Sequence, residues 1–285
     1  MTEESWFTEK AKGFGLALKI TAKIHDENSP YQHIEVFETE TFGRLLTLDG
    51  LTMLTSRDNF IYHEMMSHPA LFIHSNPKHV VIVGGGDCGT LKEVLKHREV
   101  EEVLQVELDE RVTRVAEEFF PELCESNGDE RAQFLFVDAI QWMADAPASS
   151  VDVILLDTTD PVGQASRLFS ADFYRDCLRV LREGGVMVAQ SESPLFDMEI
   201  ITSIHKAMHA AGASDIKTIH FPQCTYPSGW WSATLARKGQ KLNGFRETAA
   251  RKKGFPTRYY NADIHVACQS LPVFMNETLA GIAKA

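Results

Sequence analysis

One short segment constrains the fold of this chain more than any other: an apolar run that leads directly into a glycine-rich turn. The run is Val80–Val83, and Gly84, Gly86 and Gly89 follow it with the spacing G-x-G-x-x-G. Glycine at these positions allows a tight turn and a close approach of the backbone to a ligand. The pattern predicts a buried strand, a ligand-binding turn and a helix, which form the first unit of an α/β domain.

The next apolar run ends in an acidic residue. Glu107 follows Val103–Val106 and comes about 20 residues after the glycine-rich turn, which is the spacing expected for a residue that binds a ribose. A carboxylate at the end of that strand can accept hydrogen bonds from two ribose hydroxyls. The sequence therefore predicts a cofactor that contains adenosine.

Asp87, inside the glycine-rich turn, narrows the choice of ligand. A carboxylate repels pyrophosphate, and it would also disfavour the carboxylate of ordinary S-adenosylmethionine. It would favour an adenosyl ligand that carries a bare ammonium group. A second interpretation stays open, because aspartate is also a good cap for the helix predicted at Thr90–His97.

Charge and cysteine content limit the class of protein. The 285 residues carry a formal net charge of −12, which argues against non-specific nucleic-acid binding and serves either to steer a polycation or to keep the protein soluble. The five cysteines form no C-x-x-C pair, so we expect reduced cytosolic thiols and no metal. The polar start is unlike a signal peptide, and no apolar run is long enough to span a membrane. We therefore expect a cytoplasmic protein.

The first part of the chain has β character. Apolar and polar residues alternate or pair in a way that predicts strands at Ile34–Thr39, Arg44–Leu48 and Leu51–Leu54, with a turn at Asp49-Gly50. These strands indicate a small N-terminal antiparallel sheet. A helix is predicted next, at residues 59–73, with Asp58 as its N-terminal cap.

The rest of the chain alternates between strands and helices. Strands are predicted at residues 80–83, 103–109, 134–138, 151–157, 186–190 and 215–220, and helices at 90–97, 111–120, 173–181 and 200–211. This alternation predicts a parallel, doubly wound sheet of the Rossmann-like, methyltransferase type. We place a β-rich domain with its connecting helix at residues 1–75 and the catalytic domain at residues 76–285.

The first four strands of the larger domain end at or beside an acidic residue. These residues are Asp87, Glu107, Asp138 and Asp157. Ligands of open α/β sheets bind outside the carboxyl ends of the strands, so we expect the four side chains to converge on one crevice. Any one of them alone would be read as a cap or a surface residue, but four together are harder to explain in that way.

The fourth strand runs into a turn with two carboxylates, Asp157-Thr158-Thr159-Asp160-Pro161-Val162-Gly163. Two carboxylates in a stiff, proline-containing turn suit a cationic substrate, and one of them can also take a proton. The plainer interpretation is a turn rich in ordinary turn-forming residues. The sequence has no H-E-x-x-H, no G-x-S-x-G and no Walker lysine, which leaves metal-dependent hydrolysis, serine hydrolysis and phosphoryl transfer without support.

Taken together, these segments resemble the polyamine aminopropyltransferases, and most of all the spermidine synthases. The resemblance extends over nearly the whole chain, and the combination of a tyrosine-bearing helix, a Gly-Gly-Gly-Asp loop and a paired-aspartate turn is highly specific. The matching segments are Leu48-Asp49-Gly50, Arg57–Met65, Gly84–Asp87, Glu107-Leu108-Asp109, Asp157–Pro161, Tyr226–Gly229, Arg258–Asn261 and Ile264-His265.

The resemblance implies a reaction between two substrates. An amine of putrescine attacks the aminopropyl carbon of decarboxylated S-adenosylmethionine, which gives spermidine and methylthioadenosine. That cosubstrate has lost its carboxylate and keeps an ammonium group, which would account for Asp87. The family also implies a homodimer, and we expect neither a prosthetic group nor a metal.

The resemblance assigns roles to individual residues. Asp157 would accept the proton of the attacking amine, and Tyr62 would help to orient the nitrogen. The residues expected to bind the cosubstrate are Gln32, Gly84, Gly86, Asp87, Glu107 and Asp138, and those expected to bind the polyamine are His63, Asp160, Gln190 and Tyr226. Plainer interpretations exist for four of these residues: a core position for Tyr62, a structural role for His63, backbone contacts for Gln190 and a turn anchor for Tyr226.

Two departures from the family pattern bear on affinity and loop closure more than on the reaction. Cys88 stands where family members commonly have glycine, and Gln164 lies in the loop expected to close over the site. The acceptor is also open, with cadaverine, agmatine and spermidine as alternatives to putrescine, because one methylene changes pocket affinity by only about 1–3 kcal/mol.

Three other functions compete with this interpretation. An amine N-methyltransferase that uses intact S-adenosylmethionine would share the scaffold, but Asp87 argues against it. A nicotinamide dehydrogenase would share the glycine pattern, but Asp87 and the pair of Asp157 and Asp160 count against it. A non-catalytic polyamine-binding protein is disfavoured because both Asp157 and Tyr62 are present.

Overall fold

The computed structural model describes residues 5–11, 13–160 and 163–282. Pro161 and Val162 of the paired-aspartate turn lie outside the described residues, as do the first four residues of the chain and the side chain of Gln164. Within the described ranges, no helix is long and apolar enough to cross a membrane.

In the described part of the chain, the N-terminal region forms a sheet of five strands in which all neighbours are antiparallel. The strands are β1 (Ser5–Ala11), β2 (Phe14–Asn28), β3 (His33–Thr39), β4 (Gly43–Leu48) and β5 (Leu51–Thr55). The predicted small antiparallel sheet is confirmed. Only β3, β4 and β5 were placed individually from the sequence, because β2 is exposed or half-buried along nearly all of its length and shows little apolar alternation.

Helix α1 (Asn59–Ile73) begins and ends at the predicted residues. Asp58 stands at the N-cap position, but its carboxylate bonds Thr55 and Thr225 instead of the first helix amides, so the predicted capping role is wrong. The helix is buried on almost every side, including its polar residues, because it lies between the main sheet and neighbouring helices.

The described residues of the larger region form a second sheet, of seven strands. The strands are β6 (His79–Gly84), β7 (Glu102–Glu107), β8 (Ala132–Phe136), β9 (Val151–Asp157), β10 (Leu181–Gln190), β11 (Asp215–Pro222) and β12 (Trp230–Arg237). The helices are α2 (Gly89–Leu95), α3 (Glu110–Phe119), α4 (Ala139–Asp145), α5 (Ala171–Val180), α6 (Met198–Ala211), α7 (Glu247–Arg251), α8 (Ala262–Ala267) and α9 (Val273–Ala280). Short 3-10 turns occupy Gly163–Phe169 and Pro227–Gly229.

The strand order is β11-β12-β10-β9-β6-β7-β8, and the five strands from β10 to β8 are parallel. Strand β6 lies at the centre of these five parallel strands. Strands β7 and β8 follow on one side of it and β9 and β10 on the other, so the strand order reverses between β6 and β9. Helices α1 and α2 pack on one face and α4, α5 and α6 on the other. The predicted doubly wound, Rossmann-like sheet is confirmed.

Strand β12 was missed from the sequence, and it is antiparallel to both β10 and β11. It is buried along nearly its whole length and therefore shows no alternation of apolar and polar residues. It also follows β11 through a short connection that contains a 3-10 turn but no α-helix. The sheet is consequently mixed at this edge and not parallel throughout.

The two sheets meet through helix α3. Val112 and Val115 of this helix pack with Ile34, Val36 and Leu46 of the N-terminal sheet in one apolar cluster. The sheets lie on either side of the predicted division at residues 75 and 76, while α1 packs on the larger one. The division itself stays a prediction.

Candidate active site

The predicted acidic residues lie along one edge of the main sheet, because strands β9, β6, β7 and β8 are parallel neighbours in that order. Asp157 ends β9 opposite Gly84 of β6, and Glu107 ends β7 opposite Phe136 of β8. This edge contains the point where the strand order reverses, which is where open α/β sheets bind ligands.

Asp157 is the most deeply embedded of these acids. Tyr62 donates a hydrogen bond of 2.7 Å to its Oδ1, and Thr90 donates one of 2.5 Å to its Oδ2. Burial raises the pKa of the Asp157 carboxyl above its ordinary value and nearby Asp87 raises it further, while the charge of His63 and the two hydrogen bonds oppose the rise. A carboxyl group poised in this way is suited to accept a proton from a ligand.

The glycines of the turn allow two close contacts. Gly84 has φ +78°, and a Cβ atom there would lie 2.2 Å from the carbonyl oxygen of Asp157. A Cβ atom on Gly89 would lie 2.1 Å from the imidazole of His63. Gly86 lies beside the Glu107 carboxylate. The glycine pattern therefore lets the turn pack against the acid and the histidine that form the site.

Cys88, in the same turn, has a left-handed backbone with φ +67°. This conformation is ordinary for glycine and costs other residues about 1–2 kcal/mol. The Cys88 side chain is buried and its thiol contacts the carbonyl oxygen of Gly86. All five cysteines lie among the described residues, and each is free.

Asp87 bonds the start of α2, in line with the capping interpretation, and its proposed role toward a ligand ammonium stays a prediction. Its Oδ1 accepts a hydrogen bond of 2.7 Å from the backbone amide of Gly89, the first residue of α2, and lies 3.1 Å from Nε2 of His63. Burial alone would raise the pKa of Asp87 and lower that of His63. The attraction between the two groups outweighs burial, so the pKa of Asp87 is lowered and that of His63 is raised. They form a buried ion pair.

Glu107 is connected to the N-terminal sheet through Asp109. Glu107 accepts a hydrogen bond from the Asp109 amide at 2.8 Å, and Oδ2 of Asp109 accepts from Gln32 at 2.9 Å and from Ser29 at 2.6 Å. Burial raises the pKa of Glu107 to about 7. Gln32, predicted to lie near the nucleoside, therefore reaches this strand end from the turn between β2 and β3.

Asp138 is the most exposed of the predicted acids. It lies two residues beyond β8 and caps helix α4, because its Oδ1 accepts a hydrogen bond of 2.8 Å from the Ile140 amide. One carboxylate oxygen of Asp138 therefore caps α4, as the capping interpretation expected. Its proposed contact with an adenine amino group stays a prediction.

The other half of the site contains an acidic pair that includes a residue not predicted from the sequence. Glu192, two residues beyond β10, is hydrogen-bonded to Asp160 and accepts a bond of 3.0 Å from Nε2 of Gln190. Burial and the proximity of Asp160 raise the pKa of Glu192 to about 9, and burial also raises the pKa of Asp160. The pair can share one proton, and a cation placed beside it would allow both groups to ionise.

Tyr226 packs edge-on against Tyr62, with ring centroids 5.9 Å apart. Its hydroxyl donates a hydrogen bond of 2.6 Å to the carbonyl oxygen of Met53 in β5. The ring of Trp231 lies 4.7 Å from that of Tyr226 and is buried, so Trp231 belongs to the aromatic wall behind the tyrosines. Trp230 instead bonds His220 through its indole N–H.

A possible metal cluster lies elsewhere in the described residues. Asp26, His33 and Glu35 of the N-terminal sheet place one ligand atom each within 4.8 Å of one another. Lys23 already bonds Asp26 at 2.7 Å and Glu35 at 2.6 Å, so an ammonium group supplies the positive charge there.

The chain is similar to known proteins over nearly its whole length. The model of the spermine/spermidine synthase domain matches residues 59–245, and that of the spermidine synthase tetramerisation domain matches residues 5–56. The polyamine aminopropyltransferase of Methylococcus capsulatus is 57% identical over 97% of this chain and 97% of its own length, and that of Nitrosococcus oceani is 57% identical over 96% and 97%.

Solved structures agree with these matches. A spermidine synthase in complex with the transition state analogue AdoDATO superposes with a TM-score of 0.94 at 35% identity, covering 98% of this chain and 96% of that one. A spermidine synthase from Thermotoga maritima gives a TM-score of 0.91 at 34% identity, with coverages of 98% and 95%.

Proposed function

This chain belongs to the spermine/spermidine synthase family, and on that premise we propose that it moves the aminopropyl group of decarboxylated S-adenosylmethionine to putrescine. The products are spermidine and methylthioadenosine. The chain is a polyamine aminopropyltransferase, and putrescine as its acceptor is the finer part of the proposal. The observation that carries it is the buried Asp157 carboxyl, bonded to Tyr62 and followed by the acidic pair of Asp160 and Glu192.

The transfer needs one base. An amine is protonated at neutral pH, and Asp157 accepts the proton from the attacking amine, which frees the lone pair of the nitrogen. The nitrogen lone pair forms the new bond to the aminopropyl carbon while the carbon–sulfur bond breaks and its electrons pass to sulfur. The sulfonium becomes a neutral thioether, so the leaving group needs no acid. Tyr62 holds the Asp157 carboxylate in place and lies where it can orient the nitrogen.

The cosubstrate would occupy the side of the cleft formed by β6, β7 and β8. The Glu107 carboxylate binds the ribose hydroxyls, and Asp87 faces the ammonium of the aminopropyl arm. Gly84, Gly86 and Asp138 line the nucleoside, and Gln32 holds the Glu107 loop through Asp109. These assignments are supported by the common sheet edge on which the strand ends lie.

The acceptor would lie between Tyr62 and the acidic pair. Its reacting amine meets Asp157, and its distal ammonium meets Asp160 and Glu192, with Gln190 holding Glu192 in place. Tyr226 forms the wall, and His63 lies beside Tyr62 near the boundary of the two substrates. A compact diamine places one charge at each of these two acidic points, which favours putrescine over an acceptor with an uncharged end.

We also propose a homodimer that acts in the cytoplasm. The free cysteines are consistent with a reducing compartment. The N-terminal sheet is the region matched by the tetramerisation model, so a tetramer is the other expected outcome. Sedimentation of the purified chain distinguishes the two.

The test is release of methylthioadenosine, followed by chromatography, from decarboxylated S-adenosylmethionine and each of putrescine, cadaverine, agmatine and spermidine. We expect release with putrescine and a loss of about 100-fold or more in kcat in Asp157→Asn. The matched control is Asp152→Asn, because Asp152 is also a buried aspartate of β9 but lies at the opposite edge of the sheet.

Each other outcome has a defined meaning. Release only with a longer amine would retain aminopropyl transfer and overturn putrescine as the acceptor. Methyl transfer from intact S-adenosylmethionine would favour the methyltransferase alternative. Tight binding of the nucleoside without release from any amine would favour a non-catalytic polyamine-binding protein.

A further inference from the structure

The buried carboxylate of Asp58 joins the two segments that carry the tyrosines of the site. Its Oδ1 accepts a hydrogen bond of 2.6 Å from the Thr55 hydroxyl, and its Oδ2 accepts bonds from the Thr225 hydroxyl at 2.8 Å and the Thr225 amide at 3.2 Å. Asp58 immediately precedes helix α1, in which Tyr62 lies one turn further on, and Thr225 immediately precedes Tyr226. The contact bridges 167 residues of sequence.

A second hydrogen bond joins the Thr225–Tyr226 segment to the junction of β5 and α1. The Tyr226 hydroxyl donates to the carbonyl oxygen of Met53 at 2.6 Å, and Met53 lies in β5, just before Asp58. Thr225 and Tyr226 are therefore both held against the junction of β5 and α1. This leaves the Tyr226 ring edge-on to Tyr62, whose hydroxyl is bonded to Asp157.

The segment has little regular structure of its own to hold it. It lies between β11 and β12, and Ser228 within it has a left-handed backbone with φ +71°. Asp58 is 4% exposed, so its bonds to Thr225 are shielded from water and are stronger for being made to a charged group. Removing the carboxylate would leave the Thr225 hydroxyl and amide buried without this acceptor, and the segment would have to shift to satisfy them.

We propose that Asp58 is a positioning residue for the acceptor half of the site, which holds Tyr226 against Tyr62 through Thr225. The inference rests on the proposed function, in which Tyr226 forms the wall of the acceptor pocket. The cosubstrate half is anchored separately, since Glu107 accepts a hydrogen bond from the Asp109 amide and Gln32 in turn bonds the Asp109 carboxylate. Loss of Asp58 should therefore affect the two substrates unequally.

The experiment compares Michaelis constants for the two substrates in the full-length protein. In Asp58→Ala we expect KM for putrescine to rise about tenfold or more, while KM for decarboxylated S-adenosylmethionine stays within about twofold. Asp58→Asn should restore most of the affinity for putrescine, because its Oδ1 can accept from Thr225 while its Nδ2 donates to the Thr55 hydroxyl. Thr225→Val, which removes only the hydroxyl bond, should give a smaller rise in the same constant.

Asp152→Ala is the matched control. Asp152 is a buried carboxylate that accepts bonds from the amides of Lys78 and His79 at 2.9 Å each, far from Tyr226 at the other edge of the sheet. Asp152→Ala should lower the melting temperature without changing the ratio of the KM for putrescine to the KM for decarboxylated S-adenosylmethionine. If Asp58→Ala does not fold, the Thr225→Val result decides.

Two results would overturn the inference: constants for both substrates that rise together in Asp58→Ala, or a putrescine constant that stays at the wild-type value in Thr225→Val. Failure of the proposed function looks different, because the wild-type protein would then release no methylthioadenosine with any amine. That result would remove this inference along with the function on which it rests.

Discussion

The Tyr62 hydroxyl and the Asp157 carboxylate are joined by a hydrogen bond of 2.7 Å, although 95 residues separate them in the sequence. The tyrosine comes from the helix that connects the two sheets, and the aspartate from the end of a central strand. Both side chains are buried. The bond therefore fixes the orientation of the proposed base before any substrate binds, which is the arrangement that positions a reacting group efficiently.

Removing the Tyr62 hydroxyl should change the pH dependence of the reaction. Asp157 accepts a proton only when ionised, so kcat should fall as pH drops through its raised pKa. The bond from Tyr62 favours the ionised form, and Tyr62→Phe should move the acidic limb of the pH–rate profile to higher pH and lower kcat at pH 7 by about tenfold. Tyr174→Phe is the control, because Tyr174 is buried in α5 with no hydrogen-bond partner for its hydroxyl among the described residues. Profiles that superpose after scaling would contradict this role for Tyr62.

The sequence predicted that the acids at or beyond the ends of β6, β7 and β9 lie along one sheet edge, but it did not identify Glu192 beyond β10. Asp87, Glu107 and Asp157 follow apolar runs, and parallel strand ends necessarily meet at one edge of a sheet. The same reasoning would have found Glu192, had it been carried to the next strand. Glu192 is separated from the end of β10 by Ser191 and has a left-handed backbone with φ +64°, which is unusual for glutamate.

Other features depend on contacts that have no local pattern. The role of Asp58 could not be predicted, because its partner Thr225 is remote in sequence and a cap is the common role of aspartate before a helix. Strand β12 escaped prediction because a fully buried strand lacks alternation. By contrast, the limits of α1 were predicted to the residue, since Asp58-Asn59 and the polar segment after Ile73 mark both ends.

Binding of a diamine should release a proton from the acidic pair. Glu192 has a pKa of about 9 in the folded protein, so it is largely protonated at pH 8. The distal ammonium of the bound diamine lies beside Glu192 and Asp160 and favours ionisation of Glu192. Calorimetry in buffers of different ionisation enthalpy should therefore detect release of close to one proton per putrescine. Glu192→Gln should abolish the release and raise KM for putrescine about tenfold, whereas Glu199→Gln, an exposed residue of α6, should change neither. A buffer-independent binding enthalpy in the wild type would refute the shared proton.

The same group should make the unliganded protein less stable as pH rises. Glu192 binds its proton more tightly in the folded state, with a pKa of about 9, than in the unfolded state, where the ordinary value is 4.5. The folded state therefore holds more protons between these values, and the free energy of unfolding falls as pH increases from about 4.5 to about 9. Urea denaturation should show that the free energy of unfolding decreases less between pH 6 and pH 8 in Glu192→Gln than in the wild type. Equal decreases in the two proteins would show that Glu192 does not carry the effect.

Affinity for methylthioadenosine should depend on the ionisation of Glu107. Its pKa of about 7 means that the carboxylate, which accepts bonds from ribose hydroxyls, predominates only above neutral pH. The Kd for methylthioadenosine should therefore rise several-fold between pH 8 and pH 6, and Glu107→Gln should raise Kd about tenfold and remove most of this dependence. Glu110→Gln, on the exposed surface of α3, is the control. A Kd in Glu107→Gln that keeps the wild-type pH dependence would place the titrating group elsewhere.

The charge of Asp87 should select between ligands that have the same nucleoside. Methylthioadenosine has no ammonium group, whereas decarboxylated S-adenosylmethionine has one on its aminopropyl arm. Asp87→Asn should therefore raise KM for decarboxylated S-adenosylmethionine about tenfold or more while leaving Kd for methylthioadenosine nearly unchanged, and it should reduce the discrimination against intact S-adenosylmethionine. The His63 imidazolium 3.1 Å from Asp87 offsets part of its negative charge, so His63→Gln, which removes the positive charge, should shift the preference the opposite way, toward the decarboxylated ligand. Equal losses for both nucleosides in Asp87→Asn would mean that the carboxylate only holds the turn through the Gly89 amide, and the proposed recognition of the ammonium would then be wrong.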